Sequence, residues 1–352
     1  MTFASTILQW FRENGRQLPW RETRDPYAIW LSEIILQQTR TEQGRPYWER
    51  FMRRWPTVEA LAAASEDDVL REWQGLGYYS RARNLHAAAQ QIVARGGFPT
   101  TYEEIRKLKG VGDYTAAAIG SFAFGLPVAV VDGNVYRVLS RHYGISTPIN
   151  TTEGKKEFAA LAQQLLAPSL RSGWGEANQA IMDFGATQCT PQSPRCTVCP
   201  LLDSCVAFRE QRIQELPVKL KTLKVKERHL TYIYIRYQGE TAIRRRGKGD
   251  IWQGLWEPLL IEAPLSFPEG DTNTQGAAKV SPRGGLEGAS LIKKNVRHVL
   301  THRIILADFY LWEPAERPQL PDGYIWIPES DMDHYAVPRL IELMLQAIAD
   351  AT

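Results

Sequence analysis

TYEEIRKLKGVGDYTAAAIGSFAF, residues 101–124, predicts two helices joined by a glycine turn. Thr101-x-x-Glu104 is a capping box that opens the first helix, because each side chain can satisfy an amide the helix leaves orphaned. Gly110-Val111-Gly112 stops it, and the second helix is predicted from about Asp113 to Phe124. Glycines let backbone amides approach a phosphate closely, and the following helix adds the positive end of its dipole. Such a contact reads a nucleic-acid backbone and not its sequence. Most Gly-x-Gly turns only reverse the chain, so the flanking helices and the capping box carry the reading. Gly110, Val111 and Gly112 are the candidate contacts.

Outward from this hairpin, residues 1–210 are predicted to be helical. Asp25-Pro26 offers an N-cap followed by a proline at the first helical position, and a helix over 27–39 follows. Uninterrupted apolar stripes predict helices at 57–70 and 80–94, and further ones at 134–142, 152–166 and 173–186. Composition changes near 210. Residues 211–229 are rich in Lys and Arg and read as a linker. Beyond it the apolar period becomes two, giving strands at 230–237, 241–245, 256–262, 304–312 and 324–327. Residues 263–290 are dense in Gly, Pro and Ser and read as a long loop. A helix from Pro338 to about Ala349 closes the chain. The expectation is a multidomain protein: an all-α domain over 1–210 and an α+β domain over 230–352.

The chain has 352 residues, 44% of them hydrophobic and 23% charged, with a net charge of +3. This is a globular balance with room for about two domains. The small positive charge says little about partners. No signal peptide and no run of 18 or more apolar residues is found, so a cytoplasmic protein with no membrane association is expected.

All four cysteines fall between 189 and 205, spaced C-x6-C-x2-C-x5-C. Four soft thiolates this close suit a metal site better than a disulfide framework. Such sets bind zinc or iron–sulfur clusters. Zinc ribbons usually show two C-x2-C pairs and only one occurs here. A single tight pair with two outlying cysteines fits a loop wrapped around a larger cluster, on Cys189, Cys196, Cys199 and Cys205. Arg195, Arg209 and Arg212 in and after the loop either contact phosphate or are solvated.

Two carboxylates stand out. Glu33 is flanked at helical spacing by Ile29, Trp30 and Leu36, with Gln37 one turn on. A carboxyl on an apolar face has a raised pKa, as a general acid near neutral pH requires. A structural ion pair is the ordinary alternative for such a residue. Asp132, in Val130-Val131-Asp132-Gly133-Asn134, either caps the next helix or holds an anion near a developing cation.

Taken together, WLSEIILQQT (30–39), GLGYYSRARN (75–84), GVGDYT (110–115), VDGNV (131–135) and the cysteine quartet resemble adenine DNA glycosylases of the MutY type, a branch of the helix-hairpin-helix superfamily. The likeness is dense over 1–210 and looser beyond. It implies a [4Fe–4S] cluster and double-stranded DNA carrying adenine opposite 8-oxoguanine or guanine as the partner. It further implies a monomer, nucleoid-associated when on DNA. It also implies a flipped adenine, with Glu33 protonating it at N7 and Asp132 stabilising the oxocarbenium-like sugar. Tyr114 stands where the endonuclease III type carries a catalytic lysine, which implies a monofunctional enzyme with no Schiff-base route. Asn134 would help hold the catalytic site, and Trp20 and Arg21 would line the base pocket, with core packing the lesser alternative for each aromatic. Gln38 and Tyr78 would enter the duplex, and Gln37 falls among the base contacts. The second domain resembles the MutT-like domain of the family but lacks an R-E-x-x-E-E run. Its H-x-F-S-H loop reads His298-Val-Leu-Thr301-His302, with Leu300 and Thr301 as departures, and implies that His298, Thr301 and His302 contact 8-oxoguanine. A thymine-directed relative and a non-catalytic cluster protein are the competing expectations; Tyr114 opposes the first, and Glu33 with Asp132 opposes the second.

Overall fold

The computed structural model describes residues 2–167, 173–220, 225–262 and 288–351. They divide into two compact units, Met1–Ala63 with Asn84–Lys221, and Ala64–Arg83 with Thr222–Thr352. Residues 64–83 therefore cluster with the C-terminal strands, although they lie in sequence within the helical half.

The first unit is built from α1 (Phe3–Asn14), α2 (Pro26–Ile35), α3 (Thr41–Arg54) and α4 (Val58–Ala63). It continues with most of α6 (Ser80–Ala94), then α7 (Tyr102–Ile105), α8 (Asp113–Phe124), α9 (Gly133–Tyr143), α10 (Thr152–Leu166), α11 (Trp174–Thr187) and α12 (Val206–Arg209). Helix α2 is central: Tyr27–Ile35 are all buried, as an all-round apolar helix must be. Asp25 accepts from the amides of Tyr27 and Ala28, with Pro26 behind it, so the predicted start is met. The end is not. The helix stops at Ile35, four residues short of the expected 39, and the chain turns through Gln38 at φ +56°. Helix α3 is not predicted by the sequence, since Gly44 and Pro46 interrupt its pattern. Gly44 is needed there: a Cβ would sit 2.7 Å from Leu36 Cδ2.

Other boundaries move for local reasons. The helix expected over 57–70 breaks in two, because Ser65 caps a new helix, α5 (Glu66–Glu72), by accepting from Asp68 N. The capping-box helix is a single turn. Thr101 does accept from Glu104 N at 3.4 Å, but the chain leaves the helix at Arg106.

The second unit holds α5, β1 (Lys226–Ile235), β2 (Glu240–Arg245), β3 (Trp256–Glu257), β4 (Leu259–Ile261), β5 (Ser290–Val299), β6 (Arg303–Trp312), β7 (Tyr324–Pro328) and α13 (Arg339–Ala351). One sheet runs β4-β1-β6-β5 and the other β3-β2-β7. Strands β1 and β6 are parallel, in register from Lys226↔Arg303 to Ile235↔Trp312. Lys226–His229, expected in the linker, are thus sheet residues. Helix α13 buries Leu340, Ile341 and Met344 in one cluster with Tyr232, Phe309 and Ile305. The loop expected at 263–290 lies outside the described residues up to 287, as do 221–224 of the linker. Strand β5 is not predicted by the sequence, and it takes in His298 and Val299, so the segment 298–302 is a strand end and a tight turn, not a loop; Leu300 N donates to Arg303 O at 2.8 Å. Among the described residues no helix is long and apolar enough to cross a membrane.

Candidate active site and cluster site

A cavity of about 410 Å³ in the first unit is lined by Trp20, Arg21, Glu33, Tyr114, Asp132 and Asn134, among others. Three elements deliver the polar groups. The buried helix α2 carries Glu33, the first turn of α8 carries Tyr114, and the N-terminus of α9 carries Asp132 and Asn134. The tyrosine hydroxyl donates to Glu33 Oε2 at 2.7 Å. This leaves Oε1 as the oxygen to carry a proton.

Glu33 is only 8% exposed. Burial pushes its carboxyl up to about 7; the Tyr114 hydrogen bond and, more distantly, Arg21 pull it down, while Asp132 pushes it further up. The group therefore exchanges its proton near neutrality. Burial, followed by Glu33, holds the Tyr114 hydroxyl well above its ordinary range, so it stays protonated and keeps donating.

Asp132 both caps α9 and faces the cavity, so the two sequence readings are not exclusive. Its Oδ1 accepts from the amides of Asn134 (2.9 Å) and Val135 (2.8 Å), and its Oδ2 from Asn134 Nδ2 (2.7 Å). Burial raises its pKa, and the amides of Val135 and Asn134 act against that. Asn134 is itself fixed, because its Oδ1 accepts from Arg137 Nη2 at 2.8 Å. Arg137 then reaches Gly185 O (2.7 Å) and Cys189 O (2.7 Å). A short chain of hydrogen bonds thus runs from Asp132 to the first cysteine.

Gly185 and Arg137 escaped the sequence reading. Arg137 sits at i+3 from Asn134, a helical spacing that could have flagged it. Nothing local marks Gly185, whose missing side chain matters because α11 passes close to α9: a Cβ would lie 2.8 Å from Asn134 O and 2.7 Å from its Cβ. Gly185→Ala must push α9 away. We expect a stability loss of about 1–3 kcal/mol together with slowed base excision, read by denaturant unfolding and single-turnover assays on the same preparation.

The remaining candidates of this unit divide. Trp20 is buried and meets Trp48 edge-on at 5.6 Å, yet still lines the cavity. Arg21 is tied to Asp183 (2.9 Å), which Arg16 also binds through Nε at 2.8 Å. Burial opposes the Asp183 charge, but hydrogen bonds from Arg21 and Arg16 hold its pKa below the usual range. Gln37 donates to Thr115 Oγ1 at 3.2 Å, tying the end of α2 to α8. Gln38, by contrast, stands on a left-handed backbone just past the end of that helix. In the hairpin, the amide of Val111 is taken by Leu108 O at 3.1 Å, whereas those of Gly110 and Gly112 meet no backbone acceptor among the described residues.

In the second unit a cavity of about 650 Å³ is lined by Tyr78, Trp252, His298, Thr301 and His302, among others. Tyr78 is exposed at φ +46°, and its hydroxyl shares a 2.6 Å hydrogen bond with Thr301 Oγ1. Its loop is held from behind: Gln74 Nε2 donates to Glu342 Oε1 at 2.6 Å and Gln74 Oε1 accepts from Val337 N at 3.3 Å. His298 is half-buried with its ring 5.9 Å from Trp252, and burial, then Arg339, lowers its pKa. Glu257 is fully buried and engaged by Arg244, Arg246 and Tyr232, so it serves the core.

Cys189, Cys196, Cys199 and Cys205 are all free thiols and line one small cavity. Among the described residues no group of three or more His, Cys, Asp or Glu converges closely enough for a single metal ion. Four cysteines lining one cavity are the donor set of an iron–sulfur cluster or of zinc.

Family models match three stretches: the HhH-GPD superfamily of base excision DNA repair proteins over 31–168, a NUDIX domain over 231–347, and the iron–sulfur binding domain of endonuclease III over 189–205. The last covers the quartet, and with the four cysteines gathered on one cavity it supports a [4Fe–4S] cluster as the cofactor. Adenine DNA glycosylase of Buchnera aphidicola subsp. Schizaphis graminum is 36% identical over 72% of this chain and 73% of that protein. The Homo sapiens adenine DNA glycosylase is 42% identical over 60% of this chain and 40% of that protein. Among solved structures, a thermostable thymine-DNA glycosylase is similar at TM-score 0.54 and 31% identity, covering 59% of this chain and 95% of that one.

Proposed function

This chain belongs to the adenine DNA glycosylases, base excision repair enzymes that hydrolyse N-glycosyl bonds in DNA, and from that premise we propose that it removes adenine opposite 8-oxoguanine or guanine with Glu33 as general acid. The observation that carries the reading is a buried carboxyl of pKa about 7 facing a cavity it shares with a second carboxylate.

Adenine, out of the stack, takes the Glu33 proton at N7. The C1′–N9 bond breaks and its electron pair leaves with neutral adenine. The oxocarbenium-like sugar that remains is stabilised by the Asp132 anion. Water adds to C1′, and its proton returns to the Glu33 carboxylate. Tyr114 orients Glu33 through its hydrogen bond and offers no amine, so no Schiff base forms with the sugar. Asn134 holds Asp132. Trp20 and Arg21 wall the base pocket, Gln37 ties the end of α2 to α8 through Thr115, and Gln38 enters the duplex. Gly110 and Gly112 offer amides to a phosphate, with Val111 shaping the turn. Cys189, Cys196, Cys199 and Cys205 would hold the cluster, which would close the 189–205 loop covalently.

Recognition of the opposite base is assigned to the second unit. Tyr78, with Thr301, His298 and His302, lines a cavity of about 650 Å³, and the Tyr78–Thr301 hydrogen bond fixes the ring. Threonine there keeps the hydroxyl that the family's serine supplies. Thr301→Val removes that hydroxyl at nearly constant volume. It should weaken binding to an 8-oxoguanine duplex by roughly fivefold, the size of one neutral hydrogen bond, and leave binding to the guanine duplex nearly unchanged. Paired equilibrium titrations read this out, and equal losses on both duplexes would remove Thr301 from lesion recognition.

The test of the whole reading is single-turnover base release from duplexes carrying A opposite 8-oxoguanine, A opposite G, and T opposite G. Adenine release in the first two, with no strand cleavage until base is added, is expected. Release of thymine alone would instead favour the activity named for the thymine-directed neighbour, and strand cleavage without base would require a lyase nucleophile.

A further inference from the structure

Arg141 lies in the last turn of α9, two helical turns and more beyond Asp132, and is 3% exposed. Each of its guanidinium nitrogens is engaged. Nε donates to Ile213 O (3.0 Å) and Leu216 O (3.1 Å), Nη2 to Pro191 O (3.0 Å), and Nη1 to Thr190 O (2.7 Å) and to Cys189 Sγ (3.5 Å). Its own carbonyl accepts from Cys205 Sγ at 3.6 Å. One residue therefore touches both the first and the last cysteine of the quartet.

The acceptors share a property. All the oxygens are neutral carbonyls, and among the described residues no carboxylate pairs with this guanidinium. A buried cation without an anion is costly, and buried charges are normally paired. Arg16 and Arg21 share Asp183, and Arg246 has Glu257 and Asp250; Arg137, one turn before Arg141 in α9, is likewise buried and donates to neutral oxygens, one of them the Cys189 carbonyl. For Arg141 the only acceptor able to carry charge is the cysteine sulfur, which a cluster holds as thiolate. A [4Fe–4S] core with four thiolates is a net anion, and its potential is set by net charge, hydrogen bonds to sulfur and solvent exposure.

We propose that Arg141 is the counter-ion of the iron–sulfur cluster, a positioning residue that raises the cluster's reduction potential and retards iron loss. The cation favours the more negative, reduced form. Removing it makes reduction harder and weakens the hold on the Cys189 thiolate. A residue that merely tied carbonyls together would affect the loop and leave the potential alone.

The experiment uses cluster-loaded wild type, Arg141→Gln and Arg141→Lys. Two quantities are measured: the reduction potential by voltammetry on DNA-free protein, and the rate of iron transfer to a ferrous chelator, followed by loss of visible absorbance. Arg141→Gln should show a more negative potential and about tenfold faster iron loss, the scale of one charge-assisted hydrogen bond. Arg141→Lys keeps the charge and loses most carbonyl contacts, so its potential should stay near wild type while iron loss accelerates. Should the glutamine variant not accumulate with its cluster, the lysine variant alone decides the matter: a potential shifted from wild type overturns the proposal. So does a glutamine variant with wild-type potential, or one whose potential matches that of the lysine variant.

Discussion

Glu33→Gln is expected to slow single-turnover release of adenine by roughly 10²–10⁴-fold, the usual contribution of a positioned general acid, with duplex affinity nearly unchanged. Glutamine fills the same volume in α2 and its carbonyl oxygen can accept the Tyr114 hydroxyl as Glu33 Oε2 does at 2.7 Å. Only the transferable proton is lost. The wild-type rate should fall above pH 7, because burial lifts the Glu33 carboxyl to about 7 and the ionised form has no proton to give. In the variant that limb disappears. A variant that retained it would place the titration on another group.

Stability separates this effect from damage to the fold. The folded pKa of Glu33 lies above its unfolded value, 4.5 against about 7. Between those values the unfolded chain releases its proton first, so the folded state binds more protons and stability falls as pH rises through that window. The loss levels off above pH 7, at about 3 kcal/mol. Glutamine cannot ionise. Glu33→Gln should therefore be at least as stable as wild type at pH 8 while being far less active, measured by denaturant melts at pH 5 and pH 8. A variant destabilised at both pH values would assign Glu33 to the core.

How much of this was legible depends on whether a residue acts through its neighbours in sequence. The apolar surroundings of Glu33 were legible because Ile29, Trp30 and Leu36 flank it at helical spacing, and the cap at Asp132 because Asp-Gly precedes a helix; that the two act together came from the family resemblance alone. Tyr114 was legible by its place in the hairpin, but its hydrogen bond to a residue 81 positions away was not. Backbone conformation was hidden as well. Gln38 and Tyr78 were picked out by motif, whereas the left-handed geometry each adopts is imposed by the fold, and such strain concentrates at functional positions. Strand β5 escaped because its burial does not alternate cleanly and bulges interrupt its register at Lys293. The attachment of residues 64–83 to the C-terminal strands is set by pairs such as Gln74 with Glu342, 268 positions apart, which no local pattern encodes. Arg141 shows the same limit: its contacts with Cys189 and Ile213 lie 48 and 72 positions away.

Asp132→Asn should cost about 10²–10³-fold in excision rate, and a compensating change at Asn134 should restore the fold without restoring the rate. The capping amides of Asn134 and Val135 bind Oδ1, and an asparagine oxygen can keep them. Its Nδ2 would then point at Asn134 Nδ2, donor against donor, where the wild type has a 2.7 Å hydrogen bond. Asn134 cannot simply flip, because its oxygen is held by Arg137. The single substitution therefore carries a stability loss of about 1–2 kcal/mol besides the loss of charge. Asp132→Asn combined with Asn134→Asp removes the clash: the new amide donates to the carboxylate that Asn134→Asp introduces, and that carboxylate still accepts from Arg137. Net charge is preserved and the anion moves one side chain further from the sugar. If the position of the charge is what stabilises the oxocarbenium-like sugar, unfolding of the double variant should match wild type while excision stays near the level of the single variant. Recovery of both would mean that Asp132 acts only as the cap of α9. Recovery of neither would mean that the hydrogen-bond chain to Cys189, and not the clash, limits the fold at this helix.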